Sequence, residues 1–150
     1  MPARAFAAPD PGFEARVRDS FAQQAMMRTL GAELVLVRAG EVGIALPFRS
    51  DLTQQHGYLH AAAVTAIADS ACGYAAFTLM RPGSEVLSVE FKVNLLAPAA
   101  GQRFVARARV LRPGRTLTVC AAEVSAEDAG GDTLIAAMQA TMIEIPAGRT

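Results

Sequence analysis

The stretch HAAAVTAIADSACGYAAFTLM, residues 60–80, decides the fold of this 150-residue chain. It is apolar on nearly every side, has the length of a helix, and ends before the breaker sequence Arg81-Pro82-Gly83. A helix without a wide charged face must be covered from all directions. The sequence therefore predicts a central helix around which a larger structure is wrapped.

The segments on both sides of this helix have the pattern of strands, namely 33–37, 42–48, 84–97, 102–112, 115–126 and 133–145. Alternation predicts that Phe48 points inward with the other apolar residues of its strand. Along 84–97 it predicts an inner face of Val89, Phe91, Val93 and Leu95 and an outer face of Ser88, Glu90, Lys92 and Asn94. An antiparallel sheet curled round the apolar helix buries both, so we predict an α+β protein with the hotdog fold.

The length of the chain fits a single domain, 1–150, without linker or repeat. Residues 1–12 are rich in proline and predict a loose leader. Residues 13–30 predict one N-terminal helix that stops at Gly31, and 33–145 predict the hotdog core.

Composition excludes several classes of function. Lys+Arg and Asp+Glu both number 14, so no basic field attracts nucleic acid or an anionic membrane. No apolar stretch is long enough to span a membrane or to form a secretion signal, and we expect a cytoplasmic protein. Cys72 and Cys120 are too few for a disulfide framework or a zinc site, so we expect two buried thiols and no metal.

Asp69 is the anomaly of the apolar helix, because Ile67, Ala68, Ala71 and Cys72 surround it in sequence. An ionised carboxylate is not buried without partners. Asp69 therefore either lies at a polar cleft or loses its charge, unless it only caps a neighbouring loop or bonds to Ser70 or Tyr74. A carboxylate at a cleft is a candidate general base or nucleophile.

Other candidates lie at the start of the helix. Nine residues separate His60 from Asp69, about 13.5 Å of rise, so these side chains cannot meet within one chain. A two-fold dimer would bring them together. The N–H groups of Ala61 and Ala62 have no partner inside the helix, and they form either an oxyanion site or a solvated helix end.

Two further polar groups stand outside the helix. The loop 54–57 supplies amides, an imidazole and a flexible glycine. Arg112 and Arg115 flank the hairpin signal Pro113-Gly114. These two arginines are either solvent-facing charges or phosphate contacts to a nucleotide-bearing substrate.

At this point the sequence resembles a known family. QHGYLHAAAVTAIADSACGYA at 55–75 resembles the signature of the PaaI-type hotdog thioesterases of phenylacetate degradation, in which an Asp follows a His by nine residues. LSVEFKVNLLAPA at 87–99 and VLRPGRTLT at 110–118 resemble the next strand and hairpin of that family. The similarity spans about 33–145.

The resemblance implies hydrolysis of an acyl-coenzyme A thioester without a cofactor. Asp69 matches the catalytic carboxylate, Ala61 the oxyanion donor, Gln54 the amide that holds water or the thioester carbonyl, and Ser88 a helping hydroxyl. It also implies that Asp69 faces Gln54 and Ala61 of a partner chain, in a homodimer or a tetramer of two dimers. His60, which belongs to the motif, is a further candidate catalytic residue. The candidate substrate-binding residues are Gly57, Ala62, Gly73, Arg112 and Arg115.

The chain departs from the family at one place, where Ala61-Ala62 replaces Gly-Gly. The substitution reshapes the oxyanion site if that site needs a positive φ. Two alternatives therefore stay open. One is a hotdog hydratase or dehydratase that pairs His56 or His60 with Asp69 across a dimer, and the other is a non-catalytic acyl-CoA-binding protein.

Overall fold

One antiparallel sheet, three α-helices and a short 3₁₀ turn form the part of the chain that is described. The computed structural model describes residues 4–148. Its elements are α1 (Phe13–Gln23), α2 (Ala25–Leu30), β1 (Glu33–Arg38), β2 (Glu41–Pro47), a 3₁₀ turn (Ser50–Leu52), α3 (Ala61–Phe77), β3 (Ser84–Leu95), β4 (Arg103–Pro113), β5 (Leu117–Asp128) and β6 (Gly131–Pro146). Every predicted strand is present, and the predicted central helix begins and ends within a few residues of its expected bounds.

The six strands lie in the order β1-β2-β4-β5-β6-β3, and every neighbouring pair is antiparallel. α3 follows β2 in the chain and packs across the inner face of the sheet. The chain then continues into β3, which lies at the edge of the sheet opposite β1. The sheet wraps α3 as predicted, which confirms the hotdog fold. α3 and the sheet share one core, whose largest fully buried side chains include Phe77, Phe104, Ile44, Leu46, Ile67, Ile135 and Met142.

The N-terminal region corrects one prediction. The single helix expected over 13–30 is broken at Gln24, whose φ of −77° and ψ of 102° are extended. Its N–H donates to the Phe21 carbonyl, which closes α1, and α2 then starts in a new direction and ends at Gly31 as predicted. Of the predicted leader, residues 1–3 lie outside the described residues, and 4–12 form neither helix nor strand. Phe6 of that segment nevertheless packs against the core.

Strand β3 corrects a second prediction. Ser88 pairs with Met142 and Glu90 pairs with Thr141, so Val89 is the extra residue of a β-bulge. A bulge reverses the alternation of side chains, and Ser88 consequently points inward, against the predicted outward face. Phe91, Val93 and Leu95 keep the predicted inner face because they pair with the buried residues Ala140, Met138 and Ala136.

The inner face of β3 is not buried as predicted. Val89, Phe91 and Leu95 are 53%, 43% and 55% exposed, although the paired residues of β6 are covered. The cause is position, because β3 is the last strand of the sheet and pairs only with β6. Phe48 was also expected inside and is 37% exposed, since β2 ends one residue earlier at Pro47.

Candidate functional site

The carboxylate of Asp69 lies in a polar cleft. Its Oδ1 accepts a hydrogen bond of 2.8 Å from the hydroxyl of Ser88, which the bulge in β3 turns toward α3. Asp69 is half-buried and lines a cavity of about 300 Å³. The alternative, in which Asp69 only bonds to Ser70 or Tyr74, is not observed among the described residues. The hydroxyl groups of Ser70 and Tyr74 form hydrogen bonds with Gln24 instead. Of the expectations for Asp69, the polar cleft is confirmed.

The start of α3 presents one free backbone donor. His60 is the N-cap, and its Nδ1 accepts a hydrogen bond of 2.8 Å from the N–H of Ala62. The N–H of Ala63 donates to the carbonyl of His60, whereas that of Ala61 has no acceptor within residues 4–148. The N–H of Ala61 is therefore free to bind a ligand, the N–H of Ala62 is used for capping, and His60 has a capping role.

No residue other than glycine has a positive φ between residues 4 and 148, so Ala61 and Ala62 take ordinary helical geometry. The replacement of Gly-Gly by two alanines consequently introduces no backbone strain. The concern that this departure would reshape the oxyanion site through a positive φ does not apply to this chain.

The loop before α3 fixes the orientation of Gln54. Its Oε1 accepts hydrogen bonds from the N–H groups of His56 (2.6 Å) and Tyr58 (3.3 Å). Gly57, with a φ of +82°, makes the turn, and its N–H donates to the carbonyl of Gln54. Because the amide oxygen is bound within the loop, the amide nitrogen of Gln54 is the group left to act as a donor.

Gln54 and Ala61 line a second, more apolar cavity of about 500 Å³. Its other walls come from the loop before α3, from α3 itself, from the end of β3 with the segment after it, and from β6. They comprise Tyr58, Leu59, Val64, Leu95, Leu96, Ala97, Pro98, Ala99 and Ile135. Leu95 and Leu96 are 55% and 54% exposed, so this cavity borders an uncovered apolar surface.

The two cavities hold different halves of the predicted site. Ala61 and Asp69 are eight residues apart on α3, which is about 12 Å along the helix axis. Neither of these two cavities contains both residues. The structure thus brings Gln54 together with Ala61, and Ser88 together with Asp69, and it does not join these two pairs within one chain.

The remaining predicted residues divide between site and surface. Gly73 lines the polar cavity one helical turn after Asp69, and Gly57 lies exposed in its loop. Arg112 and Arg115 are exposed at the hairpin between β4 and β5 and line neither cavity. Their predicted phosphate contacts stay a prediction.

One residue of the polar cavity was missed from the sequence. Gln24 stands at the break between α1 and α2, and it reaches the cavity together with Ser20. Its Oε1 accepts from Ser70 Oγ at 3.1 Å, and its Nε2 donates to Tyr74 Oη at 3.1 Å. The helical pattern of 13–30 hid the break, and the only available signal was a polar residue between Phe21 and Met27 on a mainly apolar face.

Neither buried thiol belongs to the site. Cys72 and Cys120 are fully buried as expected, and burial raises the pKa of Cys120 to about 12 and that of Cys72 still further. Such thiols are poor nucleophiles. Within residues 4–148, no group of three or more His, Cys, Asp or Glu side chains is arranged to hold a metal ion. In the same range, no helix is long and apolar enough to cross a membrane.

Comparison with known proteins identifies the family of the chain. A family model described as the thioesterase superfamily matches residues 56–132. The chain is also similar to the crystal structure of a thioesterase family protein from Silicibacter pomeroyi, at 51% identity over 91% of this chain and 100% of that chain, with a TM-score of 0.89.

Two more distant structures share the fold. The PaaI protein of the E. coli phenylacetic acid degradation operon has 17% identity and a TM-score of 0.80, with 92% of this chain and 96% of that chain covered. A thioesterase enzyme from Staphylococcus aureus has 22% identity and a TM-score of 0.76, with 82% and 100% covered.

Proposed function

The chain belongs to the thioesterase superfamily and is a thioester hydrolase of the PaaI-type hotdog class, and from this premise we propose that it hydrolyses acyl-CoA thioesters at a site shared by two copies of the chain. Asp69 and Ser88 of one copy would act with Gln54 and Ala61 of the other. The observation that carries the proposal is that the two pairs are separated along α3. Asp69 and Ser88 line one cavity, whereas Gln54 and Ala61 line another.

The exposed edge of the sheet supports the second copy. β3 has an unpaired side, and on its inner face Phe91 and Leu95 expose apolar surface of a kind that monomers rarely leave uncovered. A two-fold interface is made of the same surface on both partners. If its axis passes beside Thr65, midway between Ala61 and Asp69, each Asp69 faces the Ala61 of the other chain.

The reaction follows from the charges at the two pairs. The N–H of Ala61, at the positive end of α3, and the amide nitrogen of Gln54 would hydrogen-bond to the thioester oxygen as negative charge develops there. One such donor is typically worth about 2.7–4 kcal/mol of transition-state stabilisation. His60 acts through the helix it caps, because its bond to Ala62 leaves the neighbouring N–H of Ala61 free.

Asp69 supplies the base or the nucleophile. As a general base it takes a proton from a water that adds to the carbonyl carbon, and as a nucleophile it adds to that carbon itself before water releases the acyl group. In both routes the C–S bond breaks, the thiol leaves with a proton, and the carboxylic acid is the second product. Ser88 orients the carboxylate by donating to Oδ1.

The two alternatives lack a supporting observation. A hydratase or dehydratase needs a histidine opposite Asp69, yet the Nδ1 of His60 is bound to Ala62, and His56 lies exposed in the loop. The non-catalytic reading rested on Ala61-Ala62, and the unpartnered N–H of Ala61 removes that support.

Thiol release from a panel of short, medium, long and aromatic acyl-CoAs tests the proposal. We expect wild type to release thiol and Asp69→Asn to lose about 10²–10⁴-fold in kcat, the usual contribution of a general base, while keeping its fold. Asp132→Asn, at an exposed position, is the matched control and should keep full activity. Calorimetric binding of acyl-CoA without turnover by wild type would instead identify a binding protein.

A further inference from the structure

The polar cavity beside Asp69 contains more hydrogen-bonding groups than hydrolysis requires. Three walls enclose it: the α1–α2 break, the middle of α3 and the first half of β3. Asp69 and Ser88 stand at one end, where β3 packs against α3. At the other end Ser20, Gln24, Ser70 and Tyr74 form one hydrogen-bonded group. The proposed chemistry uses only the first end.

That second group lines the far end of the cavity. Tyr74 is 5% exposed, and its hydroxyl contacts both Ser20 Oγ at 3.3 Å and Gln24 Nε2 at 3.1 Å. Gln24 makes one hydrogen bond through each end of its amide, so a second N–H and a second lone pair of the oxygen are without a partner among the described residues. These spare groups face a space that a ligand atom can occupy.

Gly73 creates that space. It lies four residues after Asp69, on the same face of α3, and lines the cavity. A Cβ built at Gly73 meets no atom of the described chain within 4 Å, so neither packing nor backbone conformation demands glycine there. Glycine inside a helix is less favourable than alanine, so the open space points to a ligand rather than to the fold.

We propose that Gln24 and Gly73 determine substrate specificity, with Gly73 admitting the acyl group and Gln24 binding a hydroxyl or another polar group at its far end. This inference rests on the proposed function, which places the thioester carbonyl beside Asp69. Two branches leave that carbonyl, and the coenzyme A branch carries charged phosphates that must reach water. The branch that enters this cavity and meets the buried Tyr74 is therefore assigned to the acyl group.

Selectivity follows from the spare groups of Gln24. A plain alkyl chain would cover them without replacing their hydrogen bonds to water, whereas a chain that ends in a hydroxyl would replace them. Sites built to bind a substrate hydroxyl discriminate strongly against analogues that lack it. We expect kcat/KM to favour the hydroxylated member of a pair of equal chain length by about tenfold or more.

The test compares straight-chain acyl-CoAs of four to eight carbons with their ω-hydroxy counterparts. The kcat/KM ratio of each pair is measured by thiol release for wild type, Gln24→Met, and the control Gln23→Met, which alters the adjacent exposed glutamine of α1. We expect the ratio to fall to near one in Gln24→Met and to keep its wild-type value in Gln23→Met.

Gly73→Ala supplies a second readout that misfolding cannot imitate. The added methyl group should hold or raise Tm, since alanine is the better helix former, while kcat/KM falls more steeply for longer acyl groups. A wild-type ratio near one, or a ratio that Gln24→Met leaves unchanged, would overturn the proposal even though hydrolysis continues. An equal loss on every substrate in both variants would overturn it as well, because the cavity would then bind the pantetheine arm. Absence of any hydrolysis that depends on Asp69 would defeat the proposed function and this inference together.

Discussion

The first turn and the third turn of α3 belong to one helix, yet they present opposite chemistry. At the first turn a backbone N–H without a partner faces an apolar cavity and carries the positive end of the helix dipole. At the third turn the Asp69 carboxylate faces a polar cavity and accepts a hydrogen bond from the Ser88 hydroxyl of β3. In the mechanism we propose, the first group stabilises developing negative charge and the second supplies a base. A straight helix keeps them about 12 Å apart, so a reaction that uses both groups requires a second copy of the chain.

Complementation between two inactive variants is the strongest test of this division. Co-expression of Asp69→Asn with Gln54→Ala gives mixed dimers in which one site carries both substitutions and the other carries neither. With random pairing, half of the dimers are mixed and half of their sites are intact, so about a quarter of wild-type activity should return. The measurement is thiol release from the purified mixture compared with each variant alone.

The matched control for this experiment uses two substitutions in the same half. Asp69→Asn co-expressed with Ser88→Ala leaves every site with at least one of the two lesions, because Ser88 orients the Asp69 of its own chain. No gain is expected there. If the mixture of Asp69→Asn and Gln54→Ala has only the mean activity of the two separate variants, each chain works alone. The two ends of α3 would then not act across two chains.

Ser88→Ala alone should impair the function of Asp69 at the third turn of α3 while leaving the donors at the first turn unchanged. A hydrogen bond to a charged group is worth about 1.5–3 kcal/mol, which corresponds to a loss in kcat of about tenfold to a hundredfold. KM should change little, since the donors at Ala61 and Gln54 remain. Ser125→Ala, on β5, is the control. A loss confined to KM would mean that Ser88 binds substrate rather than orienting Asp69.

The position of Ser88 shows where sequence reasoning succeeds and fails. The apolar helix, the strands and the candidate residues Asp69, Gln54 and Ala61 followed from local pattern and from family resemblance. The inward turn of Ser88 did not, because the extra residue Val89 is visible only once β3 is paired with β6. Periodicity carries no information about which strand lies opposite.

Gln24 illustrates the second kind of failure. Residues on both sides of it have helical spacing, so the pattern over 13–30 favours one continuous helix. In the structure Gln24 instead bonds to Ser70 and Tyr74 of α3, two residues far away in sequence. The tertiary contact overrides helical propensity at one residue, and no local signal reports it. For the same reason the exposed inner face of β3 could not be foreseen without knowing that β3 is an edge strand.

Arg16 holds the helix that walls the polar cavity, and its removal should lower stability. Its guanidinium donates to the carbonyls of Phe77, Met80 and Arg81 at 2.8–3.0 Å, and it lies 4.4 Å from the centroid of the Phe77 ring. These bonds satisfy the last carbonyl of α3 and two carbonyls of the segment that follows it, and they bind α1 to the end of α3. We expect Arg16→Met to lower the free energy of unfolding by about 3 kcal/mol in urea titration.

Arg18→Met is the matched control for that experiment. Arg18 lies on the same helix and pairs only with Glu14, and both side chains are at least half exposed. Its loss should cost about 0.3–0.5 kcal/mol. Hydrogen exchange should show α1 opening in Arg16→Met while the loop 54–60 stays protected. Equal destabilisation by the two variants would mean that the α3 carbonyls are satisfied by water instead.

The smallest expected effect concerns the anchor of β3, the strand that brings Ser88 to Asp69. Glu144 on β6 accepts hydrogen bonds from the backbone and side chain of Arg81 and from the Ser84 hydroxyl, and so fixes the start of β3. Burial alone would raise the pKa of Glu144, but the hydrogen bonds from Arg81 and Ser84 outweigh it and hold the pKa below its ordinary value of 4.5.

Because the folded pKa of Glu144 is the lower one, its carboxylate stabilises the fold above about pH 4.5, and that contribution disappears as the pH falls through the folded pKa. Glu144→Gln should therefore lower the free energy of unfolding by about 1 kcal/mol at pH 7 and by progressively less toward pH 3. Glu123→Gln, an exposed position on β5, is the control and should leave stability unchanged at both pH values. If the free energy of unfolding differs between wild type and Glu144→Gln by the same amount at every pH, the substitution acts through altered packing and not through the lost charge. In that case the link between β6 and the start of β3 would not depend on an ionised carboxylate.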